Sequence, residues 1–311
     1  VLTLATFNVK DLFDPAFEPK LAELASQCHR ADADVLAFQE VASQEALFRI
    51  LSRMPNGAAY TSRVVALPDQ RGIRNAIVSR IPFVASEVHM AAELPFPVFN
   101  QGDAQPFPKR IALRRGIPHV TLDVSGLGLV EIFTAHWKSK LPADQMRPDG
   151  KRQEPTTELE RVEGDVRSLV LRAAEALYVR GLVDAALLRT THVALMGDLN
   201  DTFDSVPLQI VRGRTQGVLR PCADVVPKEG RFSILHDGKK EQIDHILVSE
   251  ALRERLEAAS FQNEALRDHG PFIPGTSATP DSDHALHVAR FHTNRLSRDS
   301  IVHTQRSAQN S

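Results

Sequence analysis

The chain has 311 residues, 42% of them hydrophobic, and a formal net charge of −2. That length supports one large core or two small ones, and the near-neutral charge excludes a protein that coats nucleic acid by bulk electrostatics, so any polyanion must be gripped locally. No apolar run approaches the roughly 20 residues that cross a bilayer; Cys28 and Cys222, the only cysteines, stand far apart, outside any metal-ligand spacing, and read as buried or free thiols.

The first segment, VLTLATFNV, reads as an apolar strand ending at Asn8. Leu21, Leu24 and Ala25 recur at helical spacing and predict a helix over 21–30. Residues 33–41, ADVLAFQEV in their core, form a near-continuous apolar run ending in Gln39-Glu40, the pattern of a strand buried on both faces. A second helix is expected over 43–53 and a short strand over 74–80, stopped by Ile81-Pro82. Residues 91–108 are rich in Pro and Phe without periodicity and read as a surface loop.

Strands resume over about 110–124 and 128–135, joined as a hairpin at Gly126–Gly128. The polar segment 139–157, with Pro142, Pro148 and Pro155, reads as a loop near the working face. Leu159, Val162, Val166, Leu169, Val170, Ala173 and Leu177 predict the longest helix, over 158–189. A strand at 192–197, a short helix from Ser205, and strands at 242–249 and 284–291 complete the pattern. The polar tail 293–311 is expected to fray. Interleaved strands and helices with a hairpin predict one α/β domain over 1–292, with a mixed sheet or two packed sheets.

The stretch HVALMGDLND at 192–201 is the most informative. An apolar strand delivers Asp198 and, two residues on, Asn200 to one side of the rim. Asn8, Glu40, His136 with Lys138, and Asp244 close other strands in the same way, and Asp281-Ser282-Asp283-His284 precedes the last. A fold that gathers carboxylates at one rim needs a cation to neutralise them. Oxygen donors suit Mg²⁺, with Mn²⁺ or Ca²⁺ as alternatives. There is no HExxH and no Cys cluster to suggest a structural zinc.

TFNV at 6–9, AFQEV at 37–41, AHWKSK at 135–140, GDLND at 197–201, QIDHILV at 242–248 and SDHALHVARF at 282–291 resemble, in order, the six motifs of the endonuclease/exonuclease/phosphatase superfamily, the pancreatic-deoxyribonuclease-like enzymes. The resemblance implies a four-layer sandwich: two packed mixed β-sheets flanked by helices, with the site at one rim. It implies that Glu40 is the main Mg²⁺ carboxylate, with Asn8 beside it and Asp283 as a further metal-side acid. It implies that Asp198 and Asn200 orient the attacking water and the scissile phosphate, and that Asp244 orients His284 opposite the metal. His136 matches the histidine of the deoxyribonuclease and sphingomyelinase branches. Arg74 and Lys138 are expected phosphate contacts. Either Asp198 or His284 can take the water's proton.

The expected activity is therefore that of a metal-dependent phosphodiesterase, a nuclease acting on DNA or RNA with little sequence preference. AHWKSK is most similar to the corresponding segment of bacterial extracellular-type nucleases. Neither Tyr60 nor Tyr178 fits the tyrosine-bearing segment of the abasic-site branch. The alternatives are an inositol-phosphate phosphatase, a sphingomyelinase-type enzyme contacting lipid through loop 94–108, and an inactive binding module, which would lack Glu40, Asp198 or His284. A monomer is expected. The compartment stays open: soluble, with a secreted or periplasmic destination if a signal preceded Val1. His245 and His287 read as core residues, Asp281 as part of a turn, and His119 and His192 carry no signal. Asn75 stands where the deoxyribonuclease branch has the glutamate that pairs with its first histidine, which leaves His136 without an evident partner.

Overall fold

The computed structural model describes residues 1–12, 18–268 and 281–294. In chain order the strands are β1 (Leu2–Leu12), β2 (Val35–Val41), β3 (Ser62–Val65), β4 (Arg74–Ser79), β5 (Phe83–His89), β6 (Ile117–Val124), β7 (Gly128–His136), β8 (Gln145–Met146), β9 (Arg152–Gln153), β10 (His192–Asp198), β11 (Arg220–Pro221), β12 (Ile234–His236), β13 (Lys239–Glu241), β14 (Asp244–Val248), β15 (Leu256–Gln262) and β16 (Leu286–Phe291). The helices are α1 (Glu18–Ala31), α2 (Gln44–Arg53), α3 (Glu158–Leu187), α4 (Val206–Arg212) and α5 (Glu250–Arg253).

Two six-stranded sheets form, ordered β15-β16-β1-β2-β4-β3 and β11-β14-β10-β7-β6-β5. Each is mixed: β1 runs parallel to β2 and β7 to β10, and the other pairs are antiparallel. Alternation along each strand explains the stacking. Leu2 and Leu4 of β1 meet Ile132, Met196 and Ile246 in the core between the sheets. Ala5 and Phe7, one residue out of step, pack against Leu21 and Leu24 of α1 and Leu47 of α2. On the far side Phe133, Val193 and Leu195 pack against Ala176, Val179 and Val183 of α3. The result is the four-layer sandwich expected from the sequence.

Helix starts follow local chemistry. Ser43 caps α2 by accepting from Ala46 N at 2.9 Å. Thr157 and Glu160 cap α3 reciprocally: Thr157 Oγ1 accepts from Glu160 N at 3.2 Å and Glu160 Oε2 from Thr157 N at 3.1 Å. Cys28 and Cys222 are both free and buried.

Two corrections concern strands. The expected strand at 110–124 begins only at Ile117, because Arg115 turns inward to pair with Asp69 and Gly116 sits so close to Val88 and Met90 that a Cβ would collide with them. Strands β3, β5 and β15 lie outside the predicted set; β3 and β15 are edges of the first sheet and β5 of the second. The tail expectation for 295–311 lies outside the described residues.

Candidate active site

The inner-face alternation of four strands, β1, β7, β10 and β14, converges at one rim. On β1 the inward series Leu2, Leu4, Thr6 ends in Asn8. On β10 the series Ala194, Met196 ends in Asp198, which is in register with His136 of β7 on one side and Asp244 of β14 on the other. These three form a row across the second sheet. A buried polar layer lies beneath it, where Gln39 Nε2 donates to Thr6 Oγ1 at 3.1 Å and Thr134 Oγ1 at 2.9 Å, linking the two sheets.

Glu40 breaks the alternation. By period two it would follow Leu36 and Phe38 toward the helices. Its φ of 63° and a register shift after Phe38 redirect it to the rim. Asn200 (φ 54°) and Lys10 (φ 43°) are also left-handed. Such backbone in non-glycine residues costs about 1 kcal/mol each and gathers at functional sites.

Asn8 Nδ2 donates to Asp198 Oδ2 at 2.9 Å and lies 3.4 Å from Glu40 Oε1. Its Oδ1 accepts from the backbone of Lys10. Asp198 Oδ1 accepts from Asn200 N at 3.0 Å, and Asn200 Nδ2 donates to the Trp137 carbonyl at 3.0 Å. His136 Nε2 stands 3.4 Å from Asp198 Oδ2 and 3.7 Å from Glu40 Oε1. His284 Nδ1 is 2.8 Å from Asp244 Oδ2, while its Nε2 faces Asp283 at 3.8 Å and Asp198 at 4.0 Å. Ser282 Oγ ties this segment to β1 by donating to the Asn8 carbonyl.

The electrostatics follow from burial. Burial raises the Asp198 carboxyl to about 7; Asp244 and Glu40 push the same way, and His284 and the Asn8 amide oppose them. Burial alone would push His284 down, but Asp244, Asp198 and Asp283 override it and raise the imidazole to about 10. His136 is held well below the usual histidine range by burial and then by the positive charges of Arg115 and His284.

Asn8, Glu40, His136, Asp198, Asn200, Asp244, Asp283 and His284 are thus brought together. Arg74 opens β4 opposite Val41, one residue beyond Glu40. Lys138 points elsewhere: its ammonium donates to Ser139 O, Ser139 Oγ and Leu141 O, holding the following loop, and burial lowers it to about 8. Asn75 donates to the Gly116 carbonyl, and His136 Nδ1 has no partner among the described residues. His245 and His287 are buried, His245 bonding the Asp201 carbonyl behind the row.

Sequence reasoning missed Lys10, which pairs with Asp283, and Arg71, 3.9 Å from Glu40. Lys10 lies two residues beyond Asn8, and Arg71 lies in the turn between Asp69 and Gly72; those positions were the available signals. The missed Arg115 holds the His136 and Trp137 carbonyls at 3.3 Å.

With this geometry established, the sequence match is decisive: residues 5–284 match the endonuclease/exonuclease/phosphatase family. The chain belongs to that family. Solved structures share the fold. A Bacteroides thetaiotaomicron mannosyl-6-phosphatase superposes with a TM-score of 0.59 at 15% identity, covering 94% of this chain and 100% of that one. Truncated Caenorhabditis elegans TDP2 gives 0.56 at 16% identity, over 93% and 96%. An AP endonuclease from Archaeoglobus fulgidus gives 0.54 at 14%, over 94% and 99%. No curated protein sequence matches the chain.

The family is divalent-metal dependent, and the donor set here suits a hard cation. Four carboxylates, Glu40, Asp198, Asp244 and Asp283, face the same rim, and after burial the neighbouring Asp244 is the largest influence raising the Asp198 carboxyl. Asp198, Asp244 and His284 bring ligand atoms within 4.8 Å of one another. Asn8 turns its amide nitrogen toward Glu40, so in this geometry it acts as a donor to the acids. Among the described residues no helix is long and apolar enough to cross a membrane.

Proposed function

We propose that the chain is a metal-dependent phosphodiesterase, acting as a nuclease on DNA or RNA with little sequence preference. The observation that carries this reading is the environment of Asp198: a buried carboxyl raised to about 7 between two imidazoles, one neutral and one cationic. A general base works best with a pKa near the operating pH. Asp198 takes the proton of the attacking water, with Oδ1 fixed by the Asn200 amide. His284, held as an imidazolium by Asp244, donates to the phosphoryl oxygens as charge builds on them.

His136 stands on the opposite side of Asp198 and orients the diester. Glu40 and Asp283, with Asn8 alongside, would hold Mg²⁺ or Mn²⁺. A bound divalent ion supplies positive charge to the phosphoryl group. Exposed Arg71 is 3.9 Å from Glu40, exposed Arg114 is near enough to lower the His136 imidazole, and half-buried Arg74 pairs with Val41 beside Glu40, so these three would meet the phosphates flanking the scissile one. That flanking arrangement suits a polyanion better than a single phosphomonoester.

A second reading, a phospholipid diester as substrate, is favoured by Phe99, which is 92% exposed in the Pro- and Phe-rich loop. A substrate panel separates the two. Plasmid DNA, RNA, sphingomyelin vesicles and inositol polyphosphates are incubated with Mg²⁺, Mn²⁺ or chelator. Acid-soluble nucleotides released only with metal support the nuclease, and choline phosphate or inorganic phosphate released instead overturns it. Asp198→Ala and His284→Ala are expected to stop turnover in a folded protein.

A further inference from the structure

We propose a second metal site, for a zinc-type transition ion, on the outer face of the second sheet, formed by Glu87, His89 and His119. Glu87 and His89 are two apart on β5 and share a face. His119 of β6 is in register with Glu87. His119 Nδ1 lies 3.0 Å from Glu87 Oε1 and 3.1 Å from His89 Nε2, and the third edge, His89 Nε2 to Glu87 Oε1, is 3.5 Å. Ligands about 2.0–2.1 Å from a tetrahedral zinc stand about 3.3–3.4 Å apart, so this triangle has the size of one face of such a site.

The contacts behind His119 carry the argument further. His119 Nε2 is 3.0 Å from Glu131 Oε2, and Glu131 is held in turn by the Arg189 guanidinium. A carboxylate only accepts, so Nε2 donates to Glu131, and Nδ1 is the atom that His119 presents to Glu87 and His89. One cation at the centre of the triangle would touch all three atoms. A carboxylate behind a ligating histidine is the usual support of a metal-bound imidazole.

The surroundings agree. His119 stacks on buried Phe133 with centroids 3.9 Å apart, and His89 stacks on His119 at 5.3 Å. Two imidazoles and one carboxylate suit zinc or its neighbours and not magnesium. Glu87 is exposed, which leaves a fourth position for water. Phe133 and His136 are three apart on β7 and face opposite sides, so this site lies behind the phosphoryl site. Its ion would clamp the edge strand β5 to β6.

The test uses the full chain stripped with chelator and titrated with Zn²⁺ and Co²⁺. Wild type is expected to retain one equivalent of zinc beyond that retained by His89→Gln or Glu87→Gln, with at least about tenfold weaker binding in either variant. Zinc is expected to raise Tm in wild type and not in the variants, while Mg²⁺-supported phosphodiesterase activity is unchanged. Glu40→Gln should keep the extra equivalent, which separates it from ions at the rim. Equal zinc content and equal Tm response in wild type, His89→Gln and Glu87→Gln would overturn the proposal, as would no zinc retained by the wild type.

Discussion

Asp244 Oδ2 and His284 Nδ1 are 2.8 Å apart, and the Asp244 side chain is fully buried. The pair joins the two sheets: Asp244 belongs to the second, and His284 immediately precedes the last strand of the first. Burial makes the carboxylate costly unless the imidazole stays charged. Asp244→Asn removes that charge at almost constant shape. We expect kcat to fall by about 100-fold or more, because the imidazole loses both its fixed tautomer and its proton. Circular dichroism should remain native. Unchanged turnover would remove His284 from the chemistry.

A second buried pair lies behind His136. Arg115 Nε meets Asp69 Oδ2 at 2.9 Å, with 6% and 7% of their side chains exposed. Asp69 Oδ1 also accepts from the backbone of Arg71 and Ile73, fixing the turn that brings Arg71 to Glu40. Asp69→Ala strands the guanidinium and frees the turn. Removing one partner of a buried pair costs about 3–5 kcal/mol. Urea denaturation should show a loss of that size, and KM for a polyanionic substrate should rise. Asp69→Asn keeps the turn acceptor and should retain more activity than Asp69→Ala.

The inward alternation of the central strands was legible in the sequence, because strands buried on both faces leave long apolar runs and their ends then stand out as polar. Asn8, Asp198 and Asp244 were found that way. Edge strands left no such mark. β5 reads FVASEVH and β15 LEAASFQ, both largely exposed or half-buried, so burial imposes no pattern on them. The same exposure hid His89 and Glu87, and His119 carries meaning only once β5 pairs with β6. Glu40 was identified by its family motif; strand periodicity alone would have sent it to the helix side. The ammonium of Lys138 could not be placed from sequence, because the 139–141 carbonyls that hold it form only when the loop folds back.

Gly197 ends the apolar run of β10 one residue before Asp198. Its φ is 141°, and a Cβ there would lie 2.0 Å from the Ala135 carbonyl oxygen of the adjacent β7. No backbone oxygen can be approached so closely, so the two strands would have to part at the point where Asp198 and His136 are in register. Gly197→Ala is expected to lower Tm by several degrees and to cut activity at least about tenfold, consistent with a strained core substitution of about 1–3 kcal/mol. A variant with native Tm and rate would show that the strands can separate without cost.

His287 supplies a pH dependence of stability independent of catalysis. Its ring is fully buried, stacked on Phe261 with centroids 4.0 Å apart, and burial, followed by the neighbouring His245, lowers it to about 3. In the unfolded chain it titrates near 6.5. Above that pH both states are neutral and the group contributes nothing to the pH slope. As pH falls below about 6.5 the unfolded chain takes up a proton that the folded ring refuses. Stability therefore drops by about 1.4 kcal/mol per pH unit until the folded ring titrates near 3. By pH 5 the loss from this residue is about 2 kcal/mol. Denaturant titrations of wild type and His287→Asn at pH 7.5 and 5 isolate it, because the carboxylates contribute equally to both. The wild type should lose more stability than the variant over that interval. Parallel pH slopes for the two proteins would mean that the buried ring accepts its proton readily.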